Sequence, residues 1–208
     1  IKFYNLIKNN KVKLSSLKKK KKVALSNYVL EIAGFLPMTI DRIIIGPIFG
    51  FVILGNYFLG LQVLMVLTII PAAVYQYILP QDASKISTAK IKKIIIIISI
   101  MFAILGFFLS PILIPTVLPK YLDAIEVIQI MSFAVIPITI NLIYASKFIA
   151  ELKTKIVIVG SIIFITTQTI GLLTLVEYLG VNGFALSLLI ADSIVVIYYI
   201  IIHKYYKI

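Results

Sequence analysis

Six long, predominantly apolar stretches, at 23–45, 52–79, 94–118, 124–149, 156–176 and 181–202, take up most of this 208-residue chain. A helix needs about 20 apolar residues to cross the hydrocarbon core of a bilayer, and each stretch meets that length. Inside lipid, backbone N–H and C=O groups must find partners within the protein, so these stretches are expected to be helices. The β-branched run at 94–98 would favour a strand in water, but the same requirement overrides that preference. The turn-forming sequences Gly46-Pro47, Pro80-Gln81-Asp82, Pro119-Lys120 and Gly180-Val181-Asn182-Gly183 fall between stretches. The fold class that follows is all-α and integral to a membrane, a six-transmembrane-helix bundle over 23–208 preceded by a basic segment at 1–22.

The gaps between the stretches alternate in charge. Nine Lys precede the first, then come Arg42 alone, four Lys (Lys85, Lys90, Lys92, Lys93), Lys120 alone, three (Lys147, Lys153, Lys155), none, and finally Lys204 and Lys207. Eighteen of the 20 basic residues therefore lie on one side. Lys and Arg in short loops are retained on the cytoplasmic side, so both termini are expected there, in a multi-pass protein of the cytoplasmic (plasma) membrane. This placement also accounts for the net charge of +12, which in a soluble chain would suggest nucleic acid. With 61% hydrophobic residues against the roughly 45–50% of soluble domains, a nucleic-acid partner is not expected.

Residues 1–22 read as a cytoplasmic linker ending in five consecutive Lys. Ile7, Leu14 and Leu17 suit a basic amphipathic segment lying on anionic membrane lipids, and a disordered positive flank fits the same residues. No cleavable leader is evident. The chain opens with Ile1 rather than Met and is expected to be a fragment, or one half, of a longer protein.

Ionisable groups inside a span are costly, at roughly 2.5–3.5 kcal/mol on insertion scales, and often functional. Glu31 lies in the first stretch, where Asn27, Glu31, Met38 and Arg42 share one helical face: the eleven residues from 31 to 42 return to within about 20°. Pro37 on the same stretch removes a hydrogen bond and is expected to kink it, as in helices that line cavities. Asp41 and Arg42 at its outer end read either as an interfacial ion pair or as a phosphate contact, for which guanidinium is well shaped. Asp192 sits near the middle of the last stretch with no basic residue nearby in sequence. It must be protonated, bonded across helices, or facing water. A coupling-ion role for Glu31 and Asp192 is the sharper reading; the plainer ones are a Glu31 side chain that snorkels to the inner surface and an Asp192 hydrogen bond to a neighbouring helix. Thr166, Thr167, Gln168 and Thr169 cluster mid-span in the fifth stretch; Gln129, Ser132, Asn141 and Tyr144 mark the fourth, and Gln62, Tyr75 and Gln76 the second. Such groups more often join helices than bind substrate. Tyr57, Tyr121, Tyr178, Tyr205 and Tyr206 fall at segment ends as interfacial anchors.

Catalytic signatures are missing. There is no Cys, hence no disulfide or thiolate site, and the single His, His203, reads as a flank residue. No GxSxG, HExxH, DxD or GxxxxGK[ST] occurs, and no inserted domain offers a platform for sugar-transfer chemistry. Neither an enzyme nor a bound cofactor or metal is expected.

Residues 41–62, DRIIIGPIFGFVILGNYFLGLQ, place an Asp–basic pair at the close of one span, a Gly-containing turn, and Leu-Gly-x-Tyr at the start of the next. Residues 119–137, PKYLDAIEVIQIMSFAVIP, pair a Tyr-x-x-Ala turn with an apolar helix containing Pro, and the second stretch ends at Pro80 before a basic loop. Together these resemble the second half of polysaccharide and lipid-linked oligosaccharide flippases of the multidrug/oligosaccharidyl-lipid/polysaccharide exporter superfamily. The resemblance implies one lobe of a two-lobe alternating-access transporter, with the N-terminal six-helix lobe, or a second copy of the chain, completing it. It further implies a lipid-linked glycan as substrate, met by a cavity lined by Asn27, Glu31, Asp41, Arg42, Gln168 and Asp192. The cationic character of such cavities is thin here, since Arg42 is the only Arg. A cation-coupled drug or metabolite exporter of the same fold is the alternative, and a non-transporting structural membrane subunit a third reading.

Overall fold

The computed structural model describes Tyr28 and residues 50–205. The basic segment 1–22 and, Tyr28 apart, the first expected span at 23–45 lie outside the described residues. The other five spans are helices: α1 (Phe51–Ala83), α2 (Ala89–Val117), α3 (Ala124–Ala150), α4 (Thr154–Leu179) and α5 (Val181–Tyr205), with a short 3-10 turn at Pro119–Tyr121. All five are long and apolar enough to cross a membrane. The isoleucine run at 94–98 is helical within α2, as the lipid argument requires. Pro71, Pro80, Pro111, Pro115 and Pro137 all sit inside helices. Membrane helices tolerate this because neighbouring helices and local adjustments re-satisfy the freed carbonyls.

Two expected boundaries are wrong: Val181, Asn182 and Gly183 belong to α5, and the second error lies at the end of α1. Pro80-Gln81-Asp82 was assigned to a connection, but α1 continues through Ala83. The helix closes beyond the proline, where Lys85 takes a left-handed conformation (φ 59°). There the Lys85 amide donates to the Asp82 carbonyl and the Ile86 amide to the Gln81 carbonyl. α3 ends by the same device at Leu152 (φ 60°), with Lys153 donating to the Phe148 carbonyl. A single residue joins α4 to α5. Gly180 (φ 56°) makes that turn, where a side chain would be strained.

α3 is the axis of the bundle. It packs along α1, α2 and α5, whereas α4 packs chiefly against α5. The largest apolar cluster draws Tyr57, Leu61 and Leu64 from α1, Met131 and Val135 from α3, Leu172 from α4, and Phe184 and Leu188 from α5. Tyr57 was expected as an exposed interfacial anchor but is fully buried, its ring 5.6 Å from that of Phe184. Tyr121, Tyr178 and Tyr205 are exposed, as anchors should be. The outward faces of α2 and α4 carry many exposed apolar side chains, among them Ile97, Phe108 and Ile112 on α2 and Ile162 and Ile170 on α4. Lipid suits such surfaces; water does not.

Short connections make consecutive helices antiparallel, so α1, α3 and α5 run one way and α2 and α4 the other. Asn182 and Glu126 hydrogen-bond at one end of the bundle, near the Tyr57–Phe184 contact. At the opposite end, Asp82, Lys85 and Lys92 face Tyr144, Lys147, Glu151 and His203 across a common cleft. The lysine-rich connections thus gather at a single end, the geometry that the charge alternation demanded.

Candidate functional site

Two polar centres lie along this bundle, one at mid-span and one at the lysine-rich end. The first joins α3 to α5. Asn141 Nδ2 donates to the Asp192 carboxylate Oδ1 at 3.0 Å and to the Asp192 backbone carbonyl at 3.1 Å. Asp192 is buried near the middle of α5, with small Ala191 and Ser187 also buried on its helix. Asn141 Oδ1 is itself buried and accepts no hydrogen bond.

Gln168 on α4 is fully buried, and neither its Nε2 nor its Oε1 has a hydrogen-bond partner. Its depth follows from the α4–α5 register. A Cβ at Gly171 would lie 2.6 Å from the Ser187 Cβ, and one at Gly160 would lie 2.5 Å from the Tyr199 hydroxyl. Stepping three residues from Gly171 along antiparallel helices brings Gln168 level with Ile190 and Ala191, roughly 1.5–3 Å along the axis from Asp192. Near mid-span three helices therefore carry polar side chains, Gln168 and Asp192 buried and Asn141 partly buried, and two of them, Asn141 and Gln168, have hydrogen-bonding capacity unspent. Buried polar atoms that serve only to join helices are normally satisfied.

The second centre is a clasp around Asp82. Lys92 Nζ on α2 donates to both carboxylate oxygens, at 2.8 and 2.7 Å; the Thr88 hydroxyl donates to Oδ1 and the Ser146 hydroxyl of α3 to Oδ2, each at 2.8 Å. One carboxylate ties α1, the α1–α2 connection, α2 and α3 together. Beside it opens a cleft of about 660 Å³, lined by Asp82, Lys85, Thr88 and Lys92 on one wall and Tyr144, Lys147, Glu151 and His203 on the other. Tyr144 stacks on Phe148 and meets the His203 ring edge-on at 5.4 Å, with the buried Tyr199 ring 6.3 Å away. The His203 Nδ1 is buried and unbonded.

No protein-family model, curated protein or solved structure matches this chain. Its function must be argued from its own residues.

Of the expected cavity residues, Asn27, Glu31, Asp41 and Arg42 lie outside the described residues. Gln168 and Asp192 are buried on adjacent helices at about the same depth, and Asp192 bonds across to Asn141, the plainer of its two sequence readings. Thr166 is exposed, and of the polar run 166–169 only Gln168 is buried. The sequence places the end of the second stretch at Pro80, which hides the Asp82 clasp on the last turn of α1. It also makes His203 a flank residue. The available signal was an acidic residue ten positions before Lys92 in an otherwise basic gap.

Proposed function

We propose that this chain is one lobe of a two-lobe, alternating-access transporter that moves a lipid-linked oligosaccharide across the cytoplasmic membrane. The observation that carries the reading is the exposed face of α1. Gln62, Met65, Val66, Ile69, Ala73, Gln76 and Pro80 are all exposed, and at about 100° per residue they form one stripe. Gln62 and Gln76 stand roughly 21 Å apart along it. An uncharged amide facing acyl chains has no partner there, so a stripe bearing two of them is better suited to an aqueous cavity between lobes than to lipid. The headgroup of a glycan carrier needs such polar groups along its path, while its lipid tail remains in hydrocarbon.

Cation-coupled export of a drug or metabolite is the second reading. The observation that favours it is the mid-span carboxylate of Asp192 beside the unspent oxygen of Asn141.

The test is complementation of a strain lacking its own oligosaccharide flippase with the full-length gene, glycan carrier matched. Restored surface glycan that is reduced at least tenfold in Gln62→Leu/Gln76→Leu, at equal membrane level, supports the lobe reading. Full activity in that variant would place the stripe against lipid and remove the argument.

A further inference from the structure

We infer that the cleft at the lysine-rich end is a binding site for the phosphate headgroup of an anionic phospholipid, an inference independent of the transporter reading. Lys85, Lys92, Lys147 and His203 line it, with Asp82 and Glu151 as its acidic groups. Both carboxylates are already engaged, Asp82 by Lys92 at 2.7 Å and Glu151 by Lys153 at 2.9 Å. Among the described residues Lys85 and Lys147 form no ion pair, so two cations remain for an incoming anion. A further donor is close at hand in the exposed hydroxyl of Ser87.

The volume, about 660 Å³, suits a glycerophosphate headgroup with the first carbons of its chains. The walls are mixed in the way such a ligand requires: Ile86, Ile143 and the Tyr144 ring supply apolar surface next to the lysines. Its position matters equally. The cleft borders the ends of membrane-length apolar helices, and such ends meet the lipid phosphates of a bilayer. Basic pockets between membrane helices on the cytoplasmic side are a known way to hold anionic headgroups. Lys90 and Lys93 occupy the same end but do not line the cleft, which separates specific capture from general attraction.

The experiment is thermal unfolding of the purified full chain in a neutral detergent, titrated separately with phosphatidylglycerol, phosphatidylcholine and inorganic phosphate. Phosphatidylglycerol should raise the Tm saturably, with phosphatidylcholine giving at most a tenth of the response. In Lys85→Gln/Lys147→Gln the midpoint concentration should rise at least tenfold, while Lys90→Gln/Lys93→Gln, with the same loss of charge, keeps the wild-type midpoint. An equal loss in both double variants would reduce the effect to surface charge and overturn the site. Stabilisation by inorganic phosphate at the same midpoint would overturn the lipid assignment, as would an equal response to phosphatidylcholine. Should Lys85→Gln/Lys147→Gln fold poorly, Lys147→Arg serves instead. It keeps the charge and should bind within threefold of wild type, and a loss as large as that expected for Gln would contradict ionic recognition.

Discussion

Ser146 on α3 reaches the carboxylate of Asp82 on α1 at 2.8 Å, across 64 residues of chain, and completes the ring of donors that Lys92 and Thr88 begin. Three helix ends are held by that single acceptor. That carboxylate stands next to a cleft that water can enter.

Asp82→Ala should therefore lower stability by about 2–3 kcal/mol, since it strands three donors, one of them a partly buried ammonium. Lys92 retains some exposure and can turn outward, which keeps the cost at the lower end for a broken ion pair. Thermal unfolding in detergent checks this, and Asp82→Ala/Lys92→Ala should be less harmful than the sum of the two single changes. Strict additivity would mean that the pair contributes nothing as a pair.

At mid-span, Asn141→Leu removes the donor to Asp192 and leaves a carboxyl group among apolar neighbours. The expected loss is about 1–2 kcal/mol, at the upper end of measured interhelical polar contacts. Asn141→Leu/Asp192→Leu should recover most of it, because a pair replaced by apolar side chains leaves no unsatisfied group. Unfolding curves of the three variants decide the matter.

α4 and α5 approach closely at Gly171, where an added Cβ would meet that of Ser187 at 2.6 Å. Gly171→Val should force the two helices apart at a cost of about 1–3 kcal/mol, and α4, held mainly by α5, should become the most protease-sensitive helix. Gly171→Val/Ser187→Gly should restore part of the loss. If it restores none, the contact is not what limits their approach.

Leu152 is exposed and left-handed, φ 60°. Leu152→Gly should stabilise the chain by roughly 0.5–1 kcal/mol, the strain relieved exceeding the extra freedom of an unfolded glycine. A lower Tm in this variant would contradict the assigned turn.

The absence of Cys makes orientation directly measurable. Single substitutions Lys90→Cys and Lys155→Cys should resist a membrane-impermeant thiol reagent in intact cells, and Lys120→Cys and Tyr178→Cys should react. The reverse pattern would invert the topology without altering the fold.

The length of the apolar stretches and the spacing of the lysines were enough to place five of the expected spans and to divide their connections between two ends. Both properties are local: a bilayer tests each segment separately for length and charge, so no knowledge of neighbours is needed. Asp192 and Gln168 could also be singled out, because a polar group in an apolar run stands out whatever surrounds it. Their partners could not. Whether Asp192 meets Asn141, whether Gln168 is satisfied, and whether Tyr57 faces lipid or core depend on how helices rotate about their axes. That rotation is set by close packing, such as Gly171 against Ser187, between residues distant in sequence. The same holds for Asp82. In one dimension it is an acidic residue beside a proline, and only the meeting of α1, α2 and α3 turns it into the clasp beside a cationic cleft.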